Sequence, residues 1–291
     1  MKIQFKSSEH TVGARIESVF KRVMWINNDR VLYVGLLGTP LVRSYGAWTI
    51  YLSLHRPHRI CLDRYLWEET YLSVVPPYTP HRIVATERMI CTVWIEPETV
   101  EAAALPSHLR SRRGAVPTHE VHQTTLGMWD ALARIIRVGN LDFSCTEDFD
   151  KAFFGVALSP PGHVMDRRIS TVVERIKNDP NDDISGEECA NAVHLSVSRF
   201  LHLFKSEVGF PFRSFRTWKR ARSLMYHVTR GTNLVNIALD LGYPDSTHFS
   251  HAIRQFYGLT PKSIFAGSRK LALYGGSAVA SFRHSTEKSV H

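Results

Sequence analysis

Cysteine is scarce in this sequence, and its spacing argues against two common small folds. The chain of 291 residues has four cysteines and no CxxC pair. Disulfide-stapled folds need a dense cysteine framework, and zinc fingers need closely paired ligands. The four residues, Cys61, Cys91, Cys145 and Cys189, are therefore expected to be reduced thiols in a cytoplasmic protein.

Long apolar runs and the motifs of common enzyme classes are missing as well. No stretch reaches the roughly 20 apolar residues of a membrane span, and the N-terminus MKIQFKSSEHTVGARIES lacks the apolar run of a signal peptide. The sequence has no GxSxG nucleophile elbow, no GxxxxGK(S/T) phosphate loop and no GxGxxG dinucleotide motif. We therefore expect no membrane contact, no cofactor and no enzymatic activity.

The excess of positive over negative charge is confined to the last third of the chain. From Arg199 onward there are 14 Lys and Arg against 4 Asp and Glu, a net charge of +10. Residues 1–198 carry 22 against 23, a net charge of −1. A basic module attached to a nearly neutral domain is typical of a protein that binds a polyanion. A merely solvated basic surface is the alternative at this point.

The first part of the chain, residues 1–118, has the pattern of a β-rich domain. Four short runs are rich in β-branched and aromatic residues and are separated by Gly, Pro, Asn or Asp. The predicted strands are Val31–Leu37, Trp48–Leu54, Tyr71–Val75 and Met89–Ile95. They indicate a small β-sandwich or barrel.

The middle of the chain, residues 119–164, is predicted to be helical and to end in a linker. Residues 124–138 place one apolar stripe on a helical face, made of Leu126, Trp129, Leu132, Ala133 and Ile136. Such a stripe packs on its own domain or on a second copy, so this region is a candidate dimerisation element. The run Pro160-Pro161-Gly162 cannot continue a helix and is predicted to be part of the linker.

Residues 165–266 are predicted to be entirely helical. Asp179-Pro180 ends the first helix, and Ser185 with Glu188 has the form of a capping box that opens the second. The predicted helices span about 168–177, 185–193, 198–209, 212–228, 234–241 and 246–257. The fold class of the chain is thus α+β with two domains, followed by a basic tail, 267–291, that is expected to be disordered.

An internal duplication lies within these helices. Ala190 and Ala238 are 48 residues apart, whereas Phe200 and Phe249 are 49 apart, so the second copy has one more residue in its turn. Two helices joined by a short turn form a helix-turn-helix unit. The alanines are expected where the helices cross closely, and His194 and Gly242 occupy the turn positions that favour positive φ.

Residues 165–266 resemble the DNA-binding domain of the AraC/XylS family of bacterial transcription regulators. In the first copy the resemblance rests on Ala190, Leu195-Ser196, Phe200, Leu203-Phe204-Lys205 and Gly209. In the second it rests on Arg220-Ala221-Arg222, Ile237-Ala238, Leu241-Gly242-Tyr243, Asp245, Phe249-Ser250, Phe256, Gly258 and Thr260-Pro261. Three positions depart from the family pattern: His251 and Ala266 stand in place of Arg, and Ile253 in place of Phe. The first departure is expected to alter base preference, and the other two to change a phosphate contact and packing.

The resemblance implies that two recognition helices, about 196–208 and 246–257, enter successive major grooves of promoter DNA, with helix 212–228 as the spacer. The residues expected to contact bases are Ser198, Leu201, His202, Ser246, Thr247, His248 and His251. The residues expected to contact phosphates are Arg199, Lys205, Arg213, Arg222 and Arg254. For each of them the plain alternative is an exposed side chain without a partner.

The resemblance also implies a cupin-like N-terminal domain that binds a small-molecule or protein effector or mediates homodimerisation. The run Pro76–His81 is similar to a turn seen in such domains. His55, His58 and His81 do not reproduce the spacing of a cupin metal site, and His119-Glu120-Val121-His122 lacks the HExxH spacing. We therefore expect no metal.

The sequence thus predicts a cytoplasmic, nucleoid-associated transcription regulator, and activation through RNA polymerase is the commoner outcome for the family. Two alternatives stay open: a DNA-architectural protein without effector sensing, and an enzyme built on the β domain.

Overall fold

A computed structural model gives the architecture of the chain. It describes residues 22–38, 41–53, 56–62, 65–85, 89–100, 105, 109, 113–117, 127–134, 143–158, 164–229, 234–268 and 271–275. All four cysteines are in the free thiol form. None of the helices in these ranges is long and apolar enough to cross a membrane.

Two sheets form the N-terminal half. The described strands are β1 (Val23–Ile26), β2 (Arg30–Leu36), β3 (Trp48–Leu52), β4 (His58–Cys61), β5 (Glu68–Thr70), β6 (Leu72–Val75), β7 (Arg82–Ala85), β8 (Met89–Ile95), β9 (Gly114–Ala115) and β10 (Ala272–Gly275). Seven of them make one sheet in the order β10-β1-β2-β8-β3-β6-β9, and β5-β4-β7 make the other. The four strands predicted from the sequence are β2, β3, β6 and β8.

The central strands of the large sheet are buried on both faces. In β8, Cys91, Val93 and Ile95 belong to one core, whereas Ile90 and Trp94 belong to another. Strands buried on both sides read as continuous apolar runs rather than as alternating ones. This explains why MICTVWI and VLYVGLL show no polar face in the sequence.

Helices cover the face of the large sheet that carries Cys91, Val93 and Ile95. Residues 127–134 are helical, and α1 (Thr146–Phe154) follows them in the chain. Phe149 of α1 stacks on Trp25 with ring centroids 4.7 Å apart. Arg30 binds Asp150 through two hydrogen bonds, Nε to Oδ1 at 2.9 Å and Nη2 to Oδ2 at 2.8 Å. This paired, buried contact fixes α1 to the sheet.

The apolar stripe predicted in residues 124–138 packs, where the structure describes it, on its own domain. Leu132 is fully buried in the same core as α1, and Trp129 donates from Nε1 to the Ser53 carbonyl at 2.7 Å. Leu126 and Ile136 lie outside the described residues, as do His119-Glu120-Val121-His122. Dimerisation through this region therefore stays a prediction.

Seven α-helices lie between residues 164 and 268 within the described ranges. They are α2 (Arg167–Asn178), α3 (Gly186–Ala192), α4 (Val197–Val208), α5 (Phe212–Ser223), α6 (Leu234–Asp240), α7 (Ser246–Tyr257) and α8 (Pro261–Gly267). The predicted spacer helix 212–228 is shorter, because one turn of 3-10 helix, Leu224–Tyr226, continues α5. The two-domain α+β class predicted from the sequence is confirmed.

The helical domain is divided between two cores. The first unit, α2 to α4, has a core of its own that includes Ile176, Phe200 and Phe204. The second unit shares a core with the second face of the large sheet. Trp218 of α5 lies against Trp94 of β8, with ring centroids 5.7 Å apart. The second unit therefore shares its core with the β domain, whereas the first has a separate core and contacts the β domain through the Lys177–Asp29 ion pair at 2.8 Å.

The C-terminal tail, expected to be disordered from residue 267 onward, is in part ordered, and that expectation is corrected for residues 271–275. Strand β10 pairs in parallel with β1, from Val23 opposite Ala272 to Ile26 opposite Gly275. The four-residue sequence ALYG is too short to distinguish from a loop. The remaining residues, 276–291, lie outside the described ranges.

Candidate nucleic-acid interface

The two helix-turn-helix units have the same turn geometry. In the first turn, the Leu195 amide donates to the Ala190 carbonyl at 2.9 Å, and in the second, the Tyr243 amide donates to Ala238 at 2.9 Å. His194 and Gly242 both adopt positive φ, 56° and 69°. Both alanines are buried. The internal repeat read from the sequence therefore corresponds to a repeat in backbone hydrogen bonding.

The turn of the second unit also contacts the first unit. A Cβ atom placed on Gly242 would meet the Asn181 carbonyl oxygen at 2.7 Å, which is closer than real Cβ atoms approach. The Asn181 side chain donates to the Asp240 carbonyl at 3.0 Å. Asn181 lies in the loop between α2 and α3, so it links the two units. Asparagine in a loop gives no sequence signal for such a role, and sequence reasoning missed it.

A side-chain cap opens each candidate recognition helix. Ser196 accepts a hydrogen bond from the Arg199 amide at the start of α4. Asp245 accepts from the amides of Thr247 and His248 at the start of α7. These bonds satisfy amides that the helix itself leaves without partners. The bonds from the His248 amide and ring hold the pKa of Asp245 below its usual value, so the cap is a carboxylate at neutral pH.

The residues predicted to contact bases lie on the solvent-facing sides of these two helices. In α4 they are Ser198, Leu201 and His202, and in α7 they are Ser246, Thr247, His248 and His251, all exposed. Leu201 keeps 41% of its surface in solvent, which is a large fraction for leucine. His248 Nδ1 lies 2.8 Å from Asp245 Oδ2, so the cap orients this ring. The three residues of the first unit thus lie together on the surface of α4, and the four residues of the second unit lie together on the surface of α7.

Four of the five residues predicted to contact phosphates are also exposed: Arg199, Lys205, Arg213 and Arg254. The expectation for Arg222 is corrected. Its side chain is 5% exposed, and its Nε lies 2.7 Å from Glu96 Oε1 in an ion pair. Its Nη2 donates to the carbonyls of Asn27 and Arg30. In this conformation Arg222 faces the β domain and has no path to a phosphate.

Glu96 is the centre of a buried ion cluster between the two domains. Trp218 Nε1 donates to Glu96 Oε2 at 2.9 Å, and Lys219 Nζ lies 2.6 Å from the same oxygen. Lys219 also reaches Glu98 Oε1 at 2.5 Å. Burial lowers the pKa of Arg222, but the Glu96 charge and the contacts with Tyr226 and Tyr257 together outweigh burial and raise that pKa well above its ordinary value. The side chains of Trp218, Lys219 and Arg222 on α5 are thereby held against the end of β8 and the turn that follows it.

The histidines considered for a metal site are engaged with protein groups. His58 lies between the hydroxyls of Ser53 and Ser73, at 2.8 Å from each. His81 contacts the Tyr51 hydroxyl at 2.7 Å and the Thr79 carbonyl at 2.9 Å. His55 lies outside the described residues. Among the residues that the structure describes, no three His, Cys, Asp or Glu side chains are grouped as metal ligands.

Comparison with known proteins places the helical region in a family. Residues 189–266 match a family described as a helix-turn-helix domain. An uncharacterized HTH-type transcriptional regulator of Haemophilus influenzae is 22% identical over 187 residues, 60% of this chain and 61% of that protein. The arabinose operon regulatory protein of Escherichia coli is 30% identical over 116 residues, 38% of each chain. The chain thus spans less than two thirds of the length of these relatives.

The whole architecture has a counterpart among solved structures. The crystal structure of an apo ToxT variant from Vibrio cholerae strain SCE256 superposes with a TM-score of 0.52 and 13% sequence identity. The superposition covers 83% of this chain and 98% of that one. At this identity the likeness shows the fold alone. Together with the repeated turns, the family match shows that residues 189–266 form a helix-turn-helix domain of the AraC type.

Proposed function

We propose that this chain is a sequence-specific transcription regulator that inserts α4 and α7 into successive major grooves of promoter DNA. The observation that carries the proposal is the repeated geometry of the two units. Each has a buried alanine, a left-handed turn residue and a side-chain cap, followed by a helix whose small polar and imidazole side chains face solvent. Such side chains at the start of a helix are suited to hydrogen bonding with base edges.

The arrangement of charge supports DNA as the partner. Arg199, Lys205, Arg213 and Arg254 are exposed on α4, α5 and α7. Cations beside a recognition helix position it on the duplex through phosphates, without reading sequence. Arg222 and Lys219 do not contribute to this surface, because they pair with Glu96 and Glu98 in the buried cluster. The phosphate contacts of the second unit are therefore made by α7 and not by the buried face of α5.

Control by the β domain and activation are further parts of the proposal. The second unit shares a core with the large sheet. A conformational change in the sheet would therefore change the position of α7 relative to α4. A DNA-architectural protein without sensing would gain nothing from this coupling. We further propose that the protein acts in the cytoplasm, as an activator that contacts RNA polymerase, and that it forms a homodimer on DNA.

The salt dependence of DNA affinity tests the role of the exposed cations. The logarithm of the association constant should fall linearly with the logarithm of salt concentration, by about 0.9 for each phosphate neutralised. Lys205→Ala should make this slope shallower by about one and weaken specific and random duplexes alike. Fluorescence anisotropy titrations at several salt concentrations measure both quantities.

The matched control is Lys151→Ala, because Lys151 is also an exposed lysine and lies on α1 of the N-terminal half. This variant should keep the wild-type slope and affinity. A nearly flat salt dependence of the wild-type protein would contradict DNA as the partner. Equal effects of the two lysine variants would show that Lys205 makes no phosphate contact.

A further inference from the structure

A single helix, α5, joins the cores of the two helix-turn-helix units. In its first half, Phe212 and Phe215 belong to the core of the first unit. In its second half, Trp218 and Ala221 belong to the core of the second unit. Two packed bodies that are joined by one element can rotate about it as a hinge. A further connection beside α5 is therefore needed to fix the position of α7 relative to α4.

The loop between α2 and α3, residues 179–184, is held in one conformation by its own unit. The side chain of Asp179 accepts hydrogen bonds from the amides of Asn181 and Asp182, each at 3.2 Å. Arg175 of α2 donates from Nη2 to Asp182 Oδ2 at 2.8 Å. An aspartate that accepts from an amide two residues onward stabilises a compact turn. The loop therefore approaches the second unit in a defined conformation.

Asn181 connects this loop to the turn that precedes α7. Its side chain donates to the Asp240 carbonyl at 3.0 Å and accepts from the Ser223 hydroxyl at 3.2 Å. A Cβ atom on Gly242 would meet the Asn181 carbonyl oxygen at 2.7 Å, so the two backbones touch. The turn then leads directly into Asp245, which caps α7. A displacement of the loop is therefore transmitted to the start of the second recognition helix.

Asp183 connects the same loop to α5 and, through it, to the second unit. Its Oδ1 accepts from Arg216 Nη2 at 2.7 Å and from Arg220 Nη2 at 3.0 Å. The Arg220 guanidinium lies 5.8 Å from the centroid of the Tyr243 ring, in the turn of the second unit. The carboxylate is exposed, but both arginine side chains are mostly buried. One carboxylate shared by two arginines forms a network, which holds its members more firmly than an isolated surface pair does.

We propose that loop 179–184, through Asn181 and Asp183, fixes the position of α7 relative to α4 and thereby determines how many base pairs separate the two half-sites that the protein accepts. Each base pair added between half-sites moves the second one by about 3.4 Å and rotates it by about 35° around the duplex. A fixed pair of helices matches one separation, whereas a hinged pair adapts to several. This inference rests on the proposed function for its effect on DNA, but the position of the helices is testable without DNA.

Distances between spin labels on the free protein test the loop directly. Ser206 of α4 and Gln255 of α7 are exposed, and neither is among the residues expected to contact DNA. Ser206→Cys and Gln255→Cys carry the labels in a chain with Cys145→Ser, because the other three cysteines are buried. Double electron–electron resonance should give one narrow distance distribution, and Asn181→Ala with Asp183→Ala should make it roughly twofold broader, as a hinge would. Equal widths would overturn the proposal.

Asp182→Ala is the matched control for the charge that is removed. Asp182 lies in the same loop, but it pairs at 2.8 Å with Arg175 of its own unit. This variant should keep the narrow distribution of the parent chain. If it broadens the distribution as much as the double variant does, the contacts of Asn181 and Asp183 with the second unit do not fix the helices, and the proposal is overturned.

A series of half-site separations tests the effect on DNA. The parent duplex is one that the wild-type protein selects from a random pool, and one base pair is inserted or deleted between its half-sites. Wild type should bind the altered duplexes roughly tenfold more weakly than the parent, because the DNA must be twisted to fit. The Asn181→Ala, Asp183→Ala double variant should bind all three within about threefold of one another. This ratio cancels any uniform change in affinity, including that from the lost Asp183 charge.

The two measurements separate this inference from the proposed function. If no duplex is selected over random DNA, the regulator and the effect on half-site separation are overturned, and the label distances still decide whether the loop fixes the two helices. If a site is selected and the penalty for altered separation is the same in wild type and in the double variant, the regulator stands and the role of the loop is overturned.

Discussion

Glu96→Gln is expected to lower the free energy of unfolding by about 3–5 kcal/mol, because it removes the carboxylate that pairs with Arg222 and one of the two that pair with Lys219 among the described residues. Both cations are nearly fully buried, at 3% and 5% side-chain exposure. A buried charge without a partner costs far more than the original ion pair contributes. Urea unfolding followed by tryptophan fluorescence measures the change, since Trp218 lies in the same cluster.

The control for this prediction is Glu147→Gln. Glu147 pairs with Lys151 at 2.6 Å, but both side chains are more than half exposed. Exposed pairs spaced i,i+4 contribute only about 0.3–0.5 kcal/mol, so this variant should unfold almost as wild type does. A loss below about 1 kcal/mol in Glu96→Gln would mean that the cluster does not hold the two domains together.

Lowering the pH from 7 to 5 is expected to reduce the free energy of unfolding by about 4 kcal/mol through two buried histidines. Burial lowers the pKa of His58 to about 3 and that of His81 to about 3, the latter with a further contribution from the Arg43 charge. The unfolded chain takes up protons below its histidine pKa of about 6.5, and the folded chain does not. Each residue therefore costs about 1.4 kcal/mol for each pH unit between about 6.5 and 3.

Substitution separates these two residues from other titrating groups. His58→Asn and His81→Asn should each reduce the pH-dependent loss by about half, whatever they do to stability at pH 7. His251→Asn, at an exposed site on α7, should leave the loss unchanged. Urea titrations at pH 7, 6 and 5 supply the values. A wild-type stability that does not change over this range would show that the two rings are protonated in the folded protein.

The error over Arg222 shows where sequence reasoning stopped. The helix period places residue 222 four positions after Trp218, on the same face, so the pattern itself indicated an inward side chain. Formal charge was given more weight, because arginine is rarely buried without a partner. That partner, Glu96, lies 126 positions earlier in the chain, and no local pattern pairs the two residues. Long-range ion pairs of this kind are visible only in the folded structure.

Several of the elements that were predicted correctly have long or repeated patterns, although the four-residue β6 does not. Strands β2 and β8 have seven residues each, and the two helix-turn-helix units confirm each other through their spacing. The missed strands β1, β4 and β7 have four residues each, and β4 and β7 carry an arginine within them. Short strands depend on their neighbours rather than on intrinsic preference. The pairing of β10 with β1 likewise depends on contacts across nearly the whole chain.

We propose that α4 and α7 read different parts of one DNA site. The most direct test is a binding titration of His202→Ala and His251→Ala against a duplex selected from a random pool, its single-base variants and random DNA. Each substitution should cost about 1–3 kcal/mol on the selected site and leave random DNA nearly unaffected. The base pairs at which the two variants lose discrimination should lie about ten base pairs apart, one turn of the duplex. Loss at the same base pairs would contradict the account, because the two helices could not then occupy successive grooves.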